Sequence, residues 1–142
     1  MTYPGDFMNE KIGVGFKTEL KIRVSDQMIR QFAEMSGDFN PIHLDDNYAA
    51  TTRFKQRIAH GMISGALISS AIANKIGQGT IYLGQTLKFV NPVFVDEEII
   101  INLEVLSIRE DKGIATITTL VSKNSGEIVV KGEATVMLSQ FV

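Results

Sequence analysis

The segment Ser36-Gly-Asp-Phe-Asn-Pro-Ile-His43 places an acid and an imidazole five residues apart in a loop that contains a proline. Asp38 and His43 on such a loop can face one cavity and hold a single water molecule between them. The carboxylate can take a proton from that water, and the imidazole can orient it and exchange protons near neutral pH. The same residues can equally serve structure, because Asp38 can close an Asx-turn and His43 can be a hydrogen-bonded structural residue.

A second candidate feature is His60-Gly61, directly before a long apolar segment. The amides of a first helical turn are unpaired and carry positive partial charge, and a glycine lets a ligand come close to the backbone. A carbonyl oxygen bound there would be stabilised as negative charge develops on it. The alternative is that Gly61 only starts a tight helix, with His60 supporting the site from behind or belonging to the N-cap region.

Two further polar residues are candidates to support the acid–base pair. Ser69 can hold the Asp38 carboxylate, although a serine on a helix also bonds back to a carbonyl one turn earlier. Asn40 precedes Pro41, so it is expected to be extended or in a turn. No Gly-x-Ser-x-Gly motif is present, and a serine-nucleophile triad therefore lacks support.

The other charged residues near these motifs are assigned to structure. Arg53, Lys55 and Arg57 are predicted to lie on a solvated loop, with a contact to the phosphates of a coenzyme as the alternative. Asp45 and Asp46 are typical of a helix start. With two histidines, no cysteine and no Asp-x-Asp-x-Asp-Gly loop, we predict no metal site.

The composition excludes several classes of protein. The 142 residues favour one domain over 1–142, and 44% hydrophobic with 21% charged residues is the balance of a soluble globular domain. A formal net charge of -2 offers no basic excess for nucleic acid. Residues 1–7 have no basic and apolar leader, and the apolar segment 61–76 would span roughly 24 Å as a helix against a bilayer core of ~30 Å. We therefore expect a cytoplasmic protein that binds neither nucleic acid nor membrane.

Hydrophobic spacing predicts the elements that position these residues. Alternation over 16–24 predicts a strand, and Ser25 then begins a helix that Gly37 can end. A short helix is predicted over 46–50 and the apolar helix over 61–76. Four strands separated by turn signals follow, with apolar positions at Ile81, Leu83, Leu87 and Phe89, then at 99–105, 115–121 and 130–138.

The apolar helix determines the predicted fold class. It is apolar nearly all round, so it must be covered on most sides. One strongly curved antiparallel sheet wrapped around it would do so, which is the α+β architecture called the hot-dog fold. A flat α+β sandwich is the alternative that periodicity leaves open.

Several linked segments resemble one family. Phe32-Ala-Glu-Met-Ser-Gly-Asp-Phe-Asn-Pro-Ile-His-Leu-Asp45 resembles the signature of the MaoC-like (R)-specific enoyl-CoA hydratases. Ala49-Ala-Thr-Thr-Arg-Phe54 and Ile58-Ala-His-Gly-Met62 are similar to the same family in order and spacing, as are Ile81–Phe89 and Asn91–Val95. The resemblance covers residues 15 to 138, and Met35 is one small departure, since a branched aliphatic residue is expected there.

The resemblance implies a hot-dog homodimer that hydrates trans-2-enoyl-CoA to (R)-3-hydroxyacyl-CoA, in β-oxidation or in polyhydroxyalkanoate precursor supply. It implies that Asp38 and His43 are the catalytic pair and that the Gly61 amide faces the thioester oxygen. Ser69 falls at the position of the family's carboxylate-supporting serine, and Asn40 and His60 are further supporting residues. No organic cofactor is expected, because the thioester already acidifies the α-carbon.

Three other functions share this fold: an acyl-carrier-protein dehydratase, an acyl-CoA thioesterase and a non-catalytic acyl-binding module. Many dehydratases and thioesterases of this fold carry a carboxylate on the central helix, whereas 61–76 contains no Asp or Glu. A binding module would not need the pair of Asp38 and His43. Release of free thiol would distinguish a thioesterase from a hydratase.

Overall fold

The computed structural model describes residues 12–142, and the predicted elements occur in the predicted order. The strands are β1 (Lys17–Arg23), β2 (Ile81–Phe89), β3 (Glu98–Arg109), β4 (Ile114–Lys123) and β5 (Ile128–Met137). The helices are α1 (Asp26–Ser36), α2 (Pro41–Leu44), α3 (Asp46–Ala50) and α4 (Gly61–Ala71), which continues into a π-helical turn, Ile72–Ile76. A 3-10 turn, Ser139–Phe141, follows β5. The expectations drawn from residues 1–7, and the domain boundary of 1–142, extend beyond the described residues.

Helix α1 begins and ends at the residues that the sequence indicates. The Ser25 side chain accepts a hydrogen bond from the Met28 amide at 3.2 Å, as an N-cap does. Gly37 has a φ of 78°, and its amide donates to the Ala33 carbonyl at 2.8 Å. This left-handed C-cap favours glycine and turns the chain sharply toward Asp38.

The five strands form one antiparallel sheet in the order β1-β3-β4-β5-β2. Tight turns join β3 to β4 and β4 to β5, and each contains a glycine with positive φ, Gly113 at 68° and Gly126 at 89°. β1 and β2 are the two edges of the sheet. The predicted succession of four strands is therefore confirmed, but β2 pairs with β5 and not with β3, the next strand in sequence.

A hydrophobic core lies between the sheet and the central helical segment. α4 and its π-helical turn contribute Ile63, Ile68, Ala71, Ile72 and Ile76. The three inner strands contribute alternate residues, namely Ile99, Ile101, Leu103, Val105, Ala115, Ile117, Val121, Val130, Ala134 and Val136. These are the periods that the sequence predicted for a helix and for strands with one buried face.

One side of α4 stays open, contrary to the expectation that most of the helix is covered. Met62 is 52% exposed, and Ala66 and Ser69 are exposed on the same stripe at helical spacing. On the adjoining side, Gly65 lies against β2, since a Cβ there would stand 3.3 Å from Leu87 Cδ1. Within residues 12–142, no helix has the length and apolarity needed to cross a membrane.

Strand β2 departs from its predicted pattern. The sequence predicts that four apolar residues share one face, namely Ile81, Leu83, Leu87 and Phe89. The structure has a register shift between Tyr82 and Gly84, which reverses the facing of the residues before it. Tyr82 and Leu87 therefore pack against the core, whereas Ile81 and Leu83 are 44% and 49% exposed.

A polar group that periodicity did not reveal lies under the same strand. Gln85 Nε2 donates to Thr119 Oγ1 at 2.8 Å, and the Tyr82 hydroxyl donates to Gln85 Oε1. Thr119 is fully buried, and burial raises the pKa of Tyr82 to about 12. Gly132 of β5 leaves the space for Gln85, because a Cβ at 132 would stand 2.9 Å from Gln85 Nε2 and would overlap the Thr86 main-chain oxygen.

We expect Gly132→Ala to lower the free energy of unfolding by about 1–3 kcal/mol, the usual cost of adding atoms to a packed site. Urea unfolding followed by circular dichroism measures the change. Gly84→Ala is the matched control, because no atom lies within 4 Å of a Cβ built at Gly84. Equal stability of the two variants would contradict the close packing of Gln85 over Gly132.

Candidate active site

Short polar side chains shape the turn between α1 and α2. Ser36 Oγ donates to the Phe32 carbonyl at 2.7 Å and accepts from the Asp38 amide at 3.2 Å. Asp38 Oδ1 accepts from the Asn40 amide at 3.1 Å, which is the Asx-turn considered for this residue. Asn40 in turn caps α2, since its Oδ1 accepts from the Ile42 amide at 3.3 Å. Asp38 thus has a structural role that engages one of its two carboxylate oxygens.

His43, on α2, is fixed by a bond to the segment that precedes α4. Its Nδ1 lies 2.7 Å from the Ile58 carbonyl oxygen. Because a carbonyl can only accept, Nδ1 carries the proton and the neutral ring keeps its lone pair on Nε2. The Ile58 amide donates to the Ile42 carbonyl at 3.2 Å, so two hydrogen bonds in opposite directions hold these segments together.

The surroundings of His43 favour its neutral form. The residue is 9% exposed, and burial is the main reason that the pKa of His43 lies below 6.5. The bond to the Ile58 carbonyl and the charge of Asp38 oppose that shift, and the neighbouring His60 adds to it. His43 is therefore a proton acceptor at neutral pH.

His60 joins His43 to the Asp38 turn. The centroids of the two imidazoles are 3.9 Å apart, with an angle of 30° between the ring planes. His60 Nε2 lies 3.0 Å from the main-chain oxygen of Asp38, so Nε2 donates its proton to that carbonyl. His60 Nδ1 is buried and has no hydrogen-bond partner among residues 12–142.

The acidic and imidazole groups that the sequence singled out come together. A carboxylate oxygen of Asp38 and one ring nitrogen from each of His43 and His60 lie within 4.8 Å of one another. A water molecule that bonds two groups at ~2.8 Å each, at a tetrahedral angle, bridges about 4.5 Å. The limit of 4.8 Å is thus compatible with one water molecule between Asp38 and His43.

The same three residues are of the types that bind transition metals. The sequence argument against a metal site rested on two histidines and on the absence of cysteine and of an Asp-x-Asp-x-Asp-Gly loop. It did not foresee that His60 would join Asp38 and His43. Each imidazole, however, already directs one nitrogen at a main-chain carbonyl, Ile58 for His43 and Asp38 for His60. The expectation of no metal therefore stays a prediction.

A cavity of about 460 Å³ opens beside the cluster at the start of α4. Most of its wall is apolar, and the wall includes Phe89, Val90, Pro92, Val93, Val129 and Val130. His43, His60 and Gly61 line it together with Arg53 and Phe54. Asp38 is not among the lining residues, and it is exposed in the single chain.

The first turn of α4, which begins at Gly61, borders this cavity. No side chain caps α4, and the first amides of a helix have no partner within the helix. A Cβ at Gly61 would stand 2.8 Å from Phe89 Cε1, so a larger residue would have to displace that ring. The binding of a thioester oxygen by the Gly61 amide stays a prediction.

Arg57 is not on a solvated loop, and that expectation is wrong. Its side chain is 8% exposed, and its Nη1 and Nη2 lie 2.7 and 2.6 Å from Asp26 Oδ1. Nη1 also lies 3.4 Å from the His43 carbonyl oxygen, and Nε lies 3.1 Å from Asp46 Oδ1 without hydrogen-bond geometry. Arg57 thus joins α1 to α3 behind the site, which no local sequence pattern indicates.

Two of the three serines of α4, Ser64 and Ser69, differ in burial. Ser64 is 4% exposed and lines the cavity, a position that its helical spacing of three from Gly61 could have indicated. Ser69 is exposed, and no hydrogen bond joins it to Asp38 within residues 12–142 of one chain. The supporting role of Ser69 stays a prediction.

Comparison with known proteins agrees with this architecture. A family model described as MaoC like domain matches residues 7–127. The chain is 45% identical to the (R)-specific enoyl-CoA hydratase of Aeromonas caviae over 91% of this chain and 97% of that protein.

Two solved structures have the same fold. R-hydratase PhaJ1 of Pseudomonas aeruginosa has a TM-score of 0.86 and 49% identity, over 89% of this chain and 82% of that one. The (R)-hydratase of A. caviae involved in PHA biosynthesis has a TM-score of 0.87 and 45% identity, over 91% and 98%. The hot-dog prediction is confirmed against the flat sandwich, and the chain belongs to the MaoC-like family.

Proposed function

We propose that this protein is an (R)-specific enoyl-CoA hydratase, which adds water to trans-2-enoyl-CoA to give (R)-3-hydroxyacyl-CoA. The observation that carries the proposal is the approach of an Asp38 carboxylate oxygen to a His43 ring nitrogen within 4.8 Å, with His43 and Gly61 lining one cavity. Relatives of that activity align with nearly the whole chain. The apolar cavity suits an acyl chain, and the thioester supplies the activation that would otherwise require a cofactor.

In the first step, Asp38 and His43 hold the water between them. His43 Nε2 accepts one water proton as a hydrogen bond, because Nδ1 is committed to Ile58. Asp38 removes the other proton as the water oxygen bonds to the β-carbon. Positioned acid–base groups of this kind contribute on the order of 10² to 10⁴ in rate.

As the water oxygen bonds to the β-carbon, the electron pair of the double bond moves toward the thioester, and negative charge develops on its oxygen. The Gly61 amide at the start of α4 donates to that oxygen, an effect worth roughly 10² to 10³ in rate. The proton taken by the pair then returns to the α-carbon on the same face. Atoms balance, since the product contains one water more than the substrate.

We propose further that two copies associate through β2. The other edge strand, β1, presents Lys17, Glu19, Lys21 and Arg23, and charged edges disfavour strand pairing. β2 instead exposes apolar side chains, and Phe89 is 51% exposed. The exposed stripe of α4 borders β2 through Gly61 and Gly65, so a second copy would cover the edge, the stripe and Ser69.

The metabolic role follows the named relatives only as a proposal. The A. caviae hydratase is described as involved in PHA biosynthesis, and we propose the same precursor supply here, although β-oxidation uses the same chemistry. A cytoplasmic location and a single domain over 1–142 stay predictions.

We expect Asp38→Asn and His43→Gln each to lower kcat by at least about 10³-fold, since each removes one proton acceptor from the bridging water. Loss of the enoyl thioester absorbance of crotonyl-CoA measures the rate. Asp45→Asn is the matched control, because Asp45 caps α3 and asparagine caps a helix equally well. Near-native turnover in both site variants would contradict the mechanism. Stoichiometric release of CoA thiol by the wild-type protein would instead indicate a thioesterase.

The acid limb of the kcat/KM profile should lie below pH 6.5. The burial that lowers the pKa of His43 keeps the ring neutral as pH falls through 6.5, so activity declines only when the ring takes up a proton at lower pH. Measuring kcat/KM from pH 5 to 8 at constant ionic strength gives the midpoint of this acid limb. A limb centred above 6.5 would contradict the role of a buried neutral His43.

Leu83→Lys should shift the protein from dimer to monomer, because it puts a charge on the exposed apolar edge of β2. Size-exclusion chromatography with light scattering measures the mass. Glu19→Lys puts the same side chain on the β1 edge and should leave the mass unchanged. A dimer that survives the β2 change and not the β1 change would assign the interface to the other edge.

A further inference from the structure

His60 is the most enclosed polar residue of the site, and the proton-transfer mechanism above does not use it. It is 3% exposed and contacts three separate elements of the site. Its ring lies 3.9 Å from His43 and 4.8 Å from Phe32 of α1, measured between centroids. Its Nε2 donates to the Asp38 main-chain oxygen at 3.0 Å, and the residue directly after it is Gly61.

We propose that His60 is the positioning residue of the site: it holds the Asp38 main chain through Nε2 and fixes the plane of the His43 ring by packing against it. This inference rests on the proposed hydratase function and adds a role for a residue that transfers no proton. The unpaired Nδ1 of His60 supports this role. A buried nitrogen without a hydrogen-bond partner among residues 12–142 costs free energy, which the contacts of the ring with His43, Phe32 and the Asp38 carbonyl must offset.

The contacts of His60 join the groups that must stay in register. Asp38 lies on the turn before α2, His43 lies on α2, and Gly61 starts α4. Asp38 is otherwise held by the local turn and His43 by Ile58, so neither bond fixes the distance between them. A displacement of about 1 Å in such a pair can cost 10²-fold in rate.

Charged and titratable groups approach His43 from each element packed against it. Asp38 faces it from the preceding turn, His60 from the start of α4, and Arg57 donates to its main-chain carbonyl. Arg57 is itself paired with Asp26 of α1, and Asp46 of α3 lies beside it. Of these groups, His60 is the one in ring contact with His43, and it lowers the pKa of His43.

Two substitutions separate the two contacts. His60→Gln keeps a donor that can reach the Asp38 carbonyl and loses the ring, whereas His60→Phe keeps a ring and loses the donor. Ile117→Val is the control for a loss of stability alone, because Ile117 is fully buried in β4 and does not line the cavity. Asp38→Asn and His43→Gln provide the reference for a disabled site.

The readouts are kcat and KM for crotonyl-CoA and the titration of His43 by nuclear magnetic resonance. The chain has only two histidines, so each His60 variant, without an affinity tag, leaves a single imidazole signal. We expect kcat to fall 10- to 100-fold in at least one variant, with KM changed less than threefold. In His60→Gln the His43 midpoint should rise, because a neighbour that lowers its pKa is gone.

A kcat loss in one variant alone assigns the positioning to the contact which that variant lacks. The proposal is overturned if kcat stays within threefold of wild type in both variants, or if the loss is matched by Ile117→Val at equal thermal stability. An unmoved His43 titration in His60→Gln also overturns it, since the rings would then not be in contact. If wild-type protein does not hydrate crotonyl-CoA, the hydratase proposal fails first, and that result is distinct from each of these.

Discussion

The hydrogen bond from His43 Nδ1 to the Ile58 carbonyl, at 2.7 Å, is the constraint on which the site depends. It joins α2 to the strand-like segment before α4, where the Ala59 amide also donates to the Val93 carbonyl at 2.7 Å. It determines which nitrogen of His43 is protonated, and therefore which nitrogen is the acceptor in the proposed mechanism. The orientation of the His43 ring thus depends on a main-chain carbonyl, which stays uncharged at every pH.

Burial and polarity are balanced around that bond. The imidazole of His43 is buried enough to stay neutral, whereas the Asp38 carboxylate is exposed in the single chain. Arg57 carries a full charge behind the site, and Asp26 is placed to compensate it at 2.6 Å. This arrangement keeps the neutral imidazole of His43 and the carboxylate of Asp38 within 4.8 Å of each other and pairs the buried charge of Arg57.

The location of the cavity follows from where small residues lie on α4. Gly61 and Gly65 allow the helix to approach Phe89 and Leu87 of β2. The same approach leaves the outward stripe of α4, with Met62 and Ala66, beside an unpaired edge strand. The cavity at the start of α4 and the surface proposed for a second copy therefore meet at the same helix. Association through β2 would cover part of the cavity rim.

The order of the elements, the caps of α1 and the proximity of Asp38 to His43 were predictable from the sequence, because each depends on residues close together in the chain. Three features depend on residues far apart in the chain and were visible only in the tertiary structure. They are the contact of His60 with His43, the ion pair of the buried Arg57 with Asp26, and the position of Ser64 in the cavity wall. It also decided the facing of Ile81 and Leu83, since a one-residue register shift against β5 reverses a pattern of period two. Hydrophobic periodicity indicates which face of a helix or strand is apolar. Packing and strand pairing determine which of these faces contact one another.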